Sequence, residues 1–148
     1  MILQHGAAGQ NYILGDANAV GSFEASASGV TEHVIPQRPG VVYHTNHPLA
    51  STDFLPSYNR QAREANSVER LDSLAARLSG PPSGNLVDLI QRTLRAKDSA
   101  INPVCRHFQG PKNSFTFGSV IYELSAHPAA WVTAGSPDAS EYREFPLR

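Results

Sequence analysis

In the N-terminal third of the chain, short apolar runs alternate with Gly, Ser and Asn, the punctuation of strands joined by tight turns. Asn11-Tyr12-Ile13-Leu14 runs into Gly15-Asp16-Ala17-Asn18, a turn signal, and residues 20–24 read as the return strand of a hairpin. A third strand is expected over 30–35. Pro36-Gln37-Arg38-Pro39-Gly40 ends any ladder, and the β-branched run Val41-Val42-Tyr43-His44 predicts a further strand over 41–44.

The centre changes period. Val68, Leu71, Leu74, Ala75 and Leu78 recur at three- and four-residue spacing, which places them on one stripe of a helix. Asn66 or Ser67 caps its start, Glu69 suits the first turn, and Ser79-Gly80-Pro81-Pro82 stops it. A second helix is expected from Leu86 to about Ala96, with Asn85 as cap, Asp88 in the first turn and Leu86, Leu89, Ile90 and Leu94 inward. After Asn102-Pro103 the β pattern returns: a long strand over 114–124, a second over 129–134 and a short last one over 141–145. Strands, two helices, then strands predict an α+β fold, with the helix pair on one face of an antiparallel sheet.

Composition narrows the partners. The 148 residues are 41% hydrophobic and 17% charged, with 12 Lys+Arg against 13 Asp+Glu, the profile of one soluble domain spanning residues 1–148. Without a single-sign field, neither nucleic acid nor an anionic membrane is an expected partner. No run approaches the ~18 apolar residues of a membrane span, and residues 1–10 lack a secretion signal, so the expected location is cytoplasmic. One cysteine, Cys105, excludes an intrachain disulfide and a multi-cysteine zinc site.

Candidate chemistry concentrates in His44-Thr45-Asn46-His47-Pro48, where a predicted strand hands over to a loop. In one reading these polar side chains only satisfy loop backbone groups. In another, His44 and His47 bind a metal, although residues three apart on an extended segment face opposite sides. In a third, Asn46 is an oxyanion-hole donor, since a neutral amide held at a strand end is suited to a carbonyl oxygen gaining charge. Cys105, beside Arg106 and His107, reads as a buried structural residue rather than a nucleophile. Arg70 reads as an ion-pairing residue on the first helix, with a substrate contact as the alternative. Gly6, Gly9 and Gly15 are too scattered for a phosphate loop.

The run Gly40-Val41-Val42-Tyr43-His44-Thr45-Asn46-His47-Pro48-Leu49 resembles the His-Thr-Asn-His signature of the acyl-coenzyme A:6-aminopenicillanic-acid acyltransferase family, the isopenicillin-N acyltransferase-like N-terminal-nucleophile cysteine hydrolases. The likeness extends along the chain in order. Gly9 to Asp16 and Glu24 resemble the family's preceding hairpin, and Ser67 with Arg70-Leu71 its helix start. Val104-Cys105-Arg106 resembles its Ile-Cys-Arg, and Ser119-Val120-Ile121-Tyr122-Glu123 with Gly135-Ser136-Pro137 its closing hairpin and Gly-x-Pro.

The resemblance implies a four-layer αββα sandwich and acyl transfer or amide hydrolysis through an acyl-enzyme on an N-terminal cysteine. It assigns Asn46 to the oxyanion hole and His44, Thr45, His47 and Arg70 to pocket or support, with a small amide or acyl compound as substrate. Acyl-coenzyme A is an admissible acyl donor; no cofactor or metal is expected. The family's nucleophile lies before the matched segments, so these residues correspond to the C-terminal portion of the domain, expected to be inactive alone. A nucleophile-bearing N-terminal segment or subunit is the implied partner, and an uncovered sheet face would favour self-association. Asn113-Ser114 stands where some members carry Ser-Arg, so that substrate contact does not transfer. The alternative is a catalytically inactive, family-derived binding or interaction module.

Overall fold

A computed structural model describes residues 9–16, 18–36, 40–55, 57, 60–61, 66–81, 83–97, 104–106 and 115–147. Gly6, Ala17, Gln37, Arg38, Pro39, Pro82, Asn102, Pro103, His107, Asn113 and Ser114, named above, lie outside them. The fold is α+β: β1 (Gln10–Gly15), β2 (Val20–Ala25) and β3 (Val30–His33), then α1 (Ser67–Arg77) and α2 (Leu86–Leu94), then β4 (Val120–Glu123), β5 (Ala129–Thr133) and β6 (Tyr142–Pro146). The strands form two three-stranded antiparallel sheets, ordered β1-β2-β3 and β4-β5-β6, rather than the single sheet expected from element order. The chain divides into two compact units, Met1–Leu71 and Asp72–Arg148, passing from one to the other within α1.

In the first unit, the β1-β2 hairpin turns where the sequence placed it. The Asp16 carboxylate accepts the N–H groups of Asn18 (2.7 Å) and Ala19 (3.0 Å), an Asx-type turn. Register pairs Asn11 with Glu24 and Ile13 with Ser22 on β1 and β2, and Glu24 with Thr31 and Ser22 with His33 on β2 and β3. One sheet face therefore carries Ser22 and Glu24 beside Asn11 and Ile13. Its interior is polar: Ser22, Glu24, Ser26, His47 and Ser67 are buried, and Ala25 is the only buried apolar residue of this unit among the described ones.

Residues 41–44, expected as a strand, are irregular. Its last residue, His44, is held by the Glu24 side chain from β2. The long strand expected over 114–124 is shortened to β4 for a related reason. The Thr116 N–H goes to the Arg106 carbonyl at 2.9 Å, the Arg106 N–H to Thr116 Oγ1 at 3.0 Å and the Ser119 N–H to Thr133 Oγ1 at 2.9 Å. These loop and side-chain partners take the donors a longer ladder would use.

The helices follow their caps. At α1 the Asn66 carbonyl accepts the Arg70 N–H at 3.1 Å, and Asn66 itself sits at φ +50°, a left-handed conformation Asn tolerates. At α2, Asn85 is extended and its Oδ1 accepts the Val87 N–H at 2.7 Å, as the sequence predicted. In the second unit α2 packs against β4, and Val87, Ala96, Cys105, Ile121, Ala129 and Ala130 form the apolar interior. No helix among the described residues is long and apolar enough to cross a membrane.

Candidate functional site

The first unit's buried carboxylate organises the His44-to-Ser51 loop. Glu24 Oε1 accepts the Leu49 N–H at 2.5 Å and meets His44 Nε2 at 2.9 Å; Oε2 accepts the N–H groups of Ala50 (3.0 Å) and Ser51 (2.6 Å). Burial pushes the Glu24 carboxyl up, but the donors of Ser51, Leu49, His44 and Ala50 outweigh it and hold it below the ordinary value. The other ring nitrogen of His44, Nδ1, lies 2.5 Å from the Thr45 carbonyl. Both ring nitrogens thus face oxygen atoms.

A second anchor comes from α1. Ser67, fully buried, accepts the Asn46 N–H on its hydroxyl at 2.8 Å and donates to Thr45 Oγ1 at 3.1 Å. Thr45 in turn donates to the Ser67 carbonyl at 2.9 Å. His47 Nδ1 lies 2.9 Å from the same Ser67 hydroxyl, and with Ser67 donating to Thr45 the proton between them belongs on Nδ1. Ser67, one of the two residues expected to cap α1, ties the loop to the helix with its side chain.

Arg70 fixes the orientation of the Asn46 side chain. Its Nη2 donates to Asn46 Oδ1 at 2.6 Å and its Nε to Asn66 Oδ1 at 3.0 Å. Taking the carbonyl end settles the amide's orientation, with Oδ1 on the guanidinium. Asn46 lines a cavity of 690 Å³ together with Asn11, Ile13, Ser26, Asp53 and Phe54, among others, with Glu24 and His44 in its wall. Asn11 Nδ2 donates to the buried Ser22 hydroxyl at 2.9 Å. Hydrogen bonds from Ser26 and Ser28 hold the Asp53 carboxyl below its ordinary value, so it lines the cavity as an anion.

All five residues singled out by sequence, His44, Thr45, Asn46, His47 and Arg70, meet in this assembly. The two histidines do not converge: His44 turns to Glu24 and His47 to Ser67. Among the described residues no group of three or more His, Cys, Asp and Glu side chains is placed to hold a metal ion. Sequence reasoning gave no role to Glu24, nor to Ser67 beyond a cap. The available signal was a glutamate alternating with serine on a strand whose neighbours are small, a position where a charge needs an internal partner.

Cys105 belongs to the second unit and is fully buried. Its Sγ lies 3.1 Å from Ser136 Oγ and 3.2 Å from Asp138 Oδ1, and Asp138 also binds Ser136 Oγ and Lys97 Nζ. Burial pushes the thiol up, Ser136 offsetting part of the rise and Asp138 adding to it. For Asp138, burial is outweighed by Lys97, Ser136 and Cys105, which hold its carboxyl far below the carboxylate range. This is a clip that ties Lys97 and Cys105 to the turn after β5, and a protonated buried thiol is a poor nucleophile.

No protein-family model matches this chain, and no curated protein matches it.

Proposed function

We propose that this chain supplies the oxyanion-stabilising part of a site for acyl transfer or amide hydrolysis, acting on amide or thioester acyl groups through an acyl-enzyme. The observation that supports the reading is the 2.6 Å bond from Arg70 to Asn46 Oδ1, which fixes the orientation of a side-chain amide lining the cavity; in this reading its Nδ2 donates to the substrate oxygen. A nucleophile attacks the carbonyl carbon, the carbonyl oxygen gains charge against Nδ2, and expulsion of the amine or thiol leaves the acyl-enzyme. Water or an amine then takes the acyl group. The nucleophile is assigned to a segment or subunit outside these residues, because Cys105 is buried in its own hydrogen-bonded clip.

The finer fold proposed is the four-layer αββα sandwich of the acyltransferase family that the sequence resembles. Exposed Val120, Tyr122, Leu124 and Phe145 support a covering partner or second copy, since register sets Tyr122 and Phe145 on either side of Ala130 on one sheet face.

The test is turnover of acyl-p-nitroanilides and acyl-coenzyme A thioesters by the 148-residue chain alone and by the chain produced with its upstream coding sequence. The chain alone is expected to be inactive and the longer product active, with Asn46→Ala lowering kcat by ~10²–10³. An Asn46→Ala variant of undiminished kcat refutes the role of Asn46. Turnover by the isolated chain refutes the external nucleophile, and absence of turnover in both products leaves a non-catalytic binding module.

A further inference from the structure

A single buried carboxylate holds both ends of the turn that carries Asn46. On the N-terminal side Glu24 meets His44 Nε2 at 2.9 Å; on the C-terminal side it accepts three successive backbone N–H groups, those of Leu49, Ala50 and Ser51. Asn46 lies between the two attachments. Loops with unsatisfied backbone donors ordinarily stay solvated and mobile; here a 5% exposed glutamate on the central strand of a sheet replaces that solvent. The loop that the Glu24 carboxylate grips on both sides is the one whose Asn46 Oδ1 meets Arg70 Nη2 at 2.6 Å.

We propose that Glu24 is a positioning residue for the Asn46 donor, its carboxylate clamping His44 on one side and the 49–51 amides on the other so that the Asn46 amide is held rigid at the cavity. The proposal deepens the acyl-transfer reading and rests on it for the donor's chemical purpose, but the clamp itself is tested without turnover. An uncharged glutamine has the right shape and the wrong donors: whichever way it is turned, its NH₂ faces N–H groups that now meet the carboxylate. Glu24→Gln therefore opens one side of the clamp without leaving a cavity.

The experiment is ¹⁵N relaxation of the Asn46 side-chain amide in the 148-residue protein, assigned by the signal lost in Asn46→Ala, compared among wild type, Glu24→Gln and His44→Gln. His44→Gln keeps the carboxylate on its three amides and serves if Glu24→Gln fails to fold. Expected is an order parameter near the ~0.85 of rigid backbone in wild type, falling below ~0.6 in Glu24→Gln and by a smaller amount in His44→Gln. The Trp131 indole signal, from the second unit, should keep its wild-type position as a check of folding. An Asn46 amide equally rigid in the folded variants, or already mobile in wild type, overturns the proposal whatever the enzyme does. In the longer, active product, Glu24→Gln should lower kcat with KM unchanged, and adding Asn46→Ala should cost no further. Multiplying effects would make Glu24 a structural residue only, while a wild type without turnover would sink the acyl-transfer reading and leave the clamp standing.

Discussion

Ser67→Ala removes one oxygen from the point where α1 meets the His44-to-Ser51 loop. The hydroxyl is fully buried, accepts the Asn46 N–H at 2.8 Å and touches His47 Nδ1 at 2.9 Å and Thr45 Oγ1 at 3.1 Å. Its three partners do not lose equally. Thr45 keeps its bond to the Ser67 carbonyl at 2.9 Å, and His47 Nδ1 retains Thr45 Oγ1 at 3.3 Å. The Asn46 N–H loses the acceptor that Ser67 provides, a penalty of about 1–3 kcal/mol for a desolvated donor, and the weakened His47 bond adds about 1 kcal/mol. The expected total is about 2–4 kcal/mol, against little from the alanine, which the helix tolerates well. Urea unfolding followed on the amide signals of β2 measures it, with Ser73→Ala on the same helix as control. Ser73 accepts a 3.4 Å bond from Arg77 at the exposed surface, and its loss should stay within about 0.5 kcal/mol. If Ser67→Ala were no more destabilising than Ser73→Ala, the Ser67 hydroxyl would not be what joins loop to helix.

Acid should loosen the first unit through Glu24. Its folded value is depressed below the ordinary 4.5, so the unfolded chain binds more protons between the two values; the stabilisation is complete above pH 4.5 and is lost as pH falls through the folded value. Urea midpoints from pH 7 down to 3 should therefore fall more steeply in wild type than in Glu24→Gln, and parallel curves would contradict the clamp. In the second unit, Cys105 should resist an aromatic disulfide reagent at pH 8 in the folded protein and react once urea unfolds it; fast native labelling would contradict its burial. Asp138→Asn should destabilise by about 1–3 kcal/mol through Ser136 and Cys105, the pairing with Lys97 counting for little because that ammonium is 40% exposed. The same urea titration reads it, and an unchanged midpoint would remove the clip from the stability of this unit.

Where a structural decision is local, the sequence displays it. Asn85 caps α2 because an extended residue with a side-chain acceptor is all that the first turn needs, and the period of Val68, Leu71, Leu74 and Leu78 carries α1 to its stop. The failures share a cause as well. Val41 to His44 has strand composition but no ladder, and 115–119 loses its ladder to Arg106 and the Thr116 and Thr133 side chains. In both places a long-range side chain or loop carbonyl outcompetes a backbone partner, which no window of propensity contains. Within the candidate site, the unusual tetrad His44-Thr45-Asn46-His47 was visible as a cluster of polar groups at a loop start. Its supports were not, because Glu24 is twenty residues upstream of His44 and Ser67 twenty downstream of His47.

The two units pose the same electrostatic question and answer it differently. Each buries a carboxylate, Glu24 in one and Asp138 in the other, and each carboxylate is held below its ordinary value against the pull of burial. A perturbed acid therefore does not by itself distinguish a working site from a structural tie. What differs is the use of the remaining hydrogen-bonding groups. Asp138 gathers Lys97, Ser136 and Cys105, a set that closes a turn onto a neighbouring segment. Glu24 gathers backbone donors and His44, and the loop so formed carries an amide whose acceptor end is taken by Arg70 and whose donor end belongs to a residue lining the cavity. A fold that needed only to close this loop could have used any hydrogen-bonding residue at position 46. An arginine on α1 selects one end of that amide, and this is why the acyl-transfer reading proposed above is placed on the first unit rather than on the cysteine-bearing second.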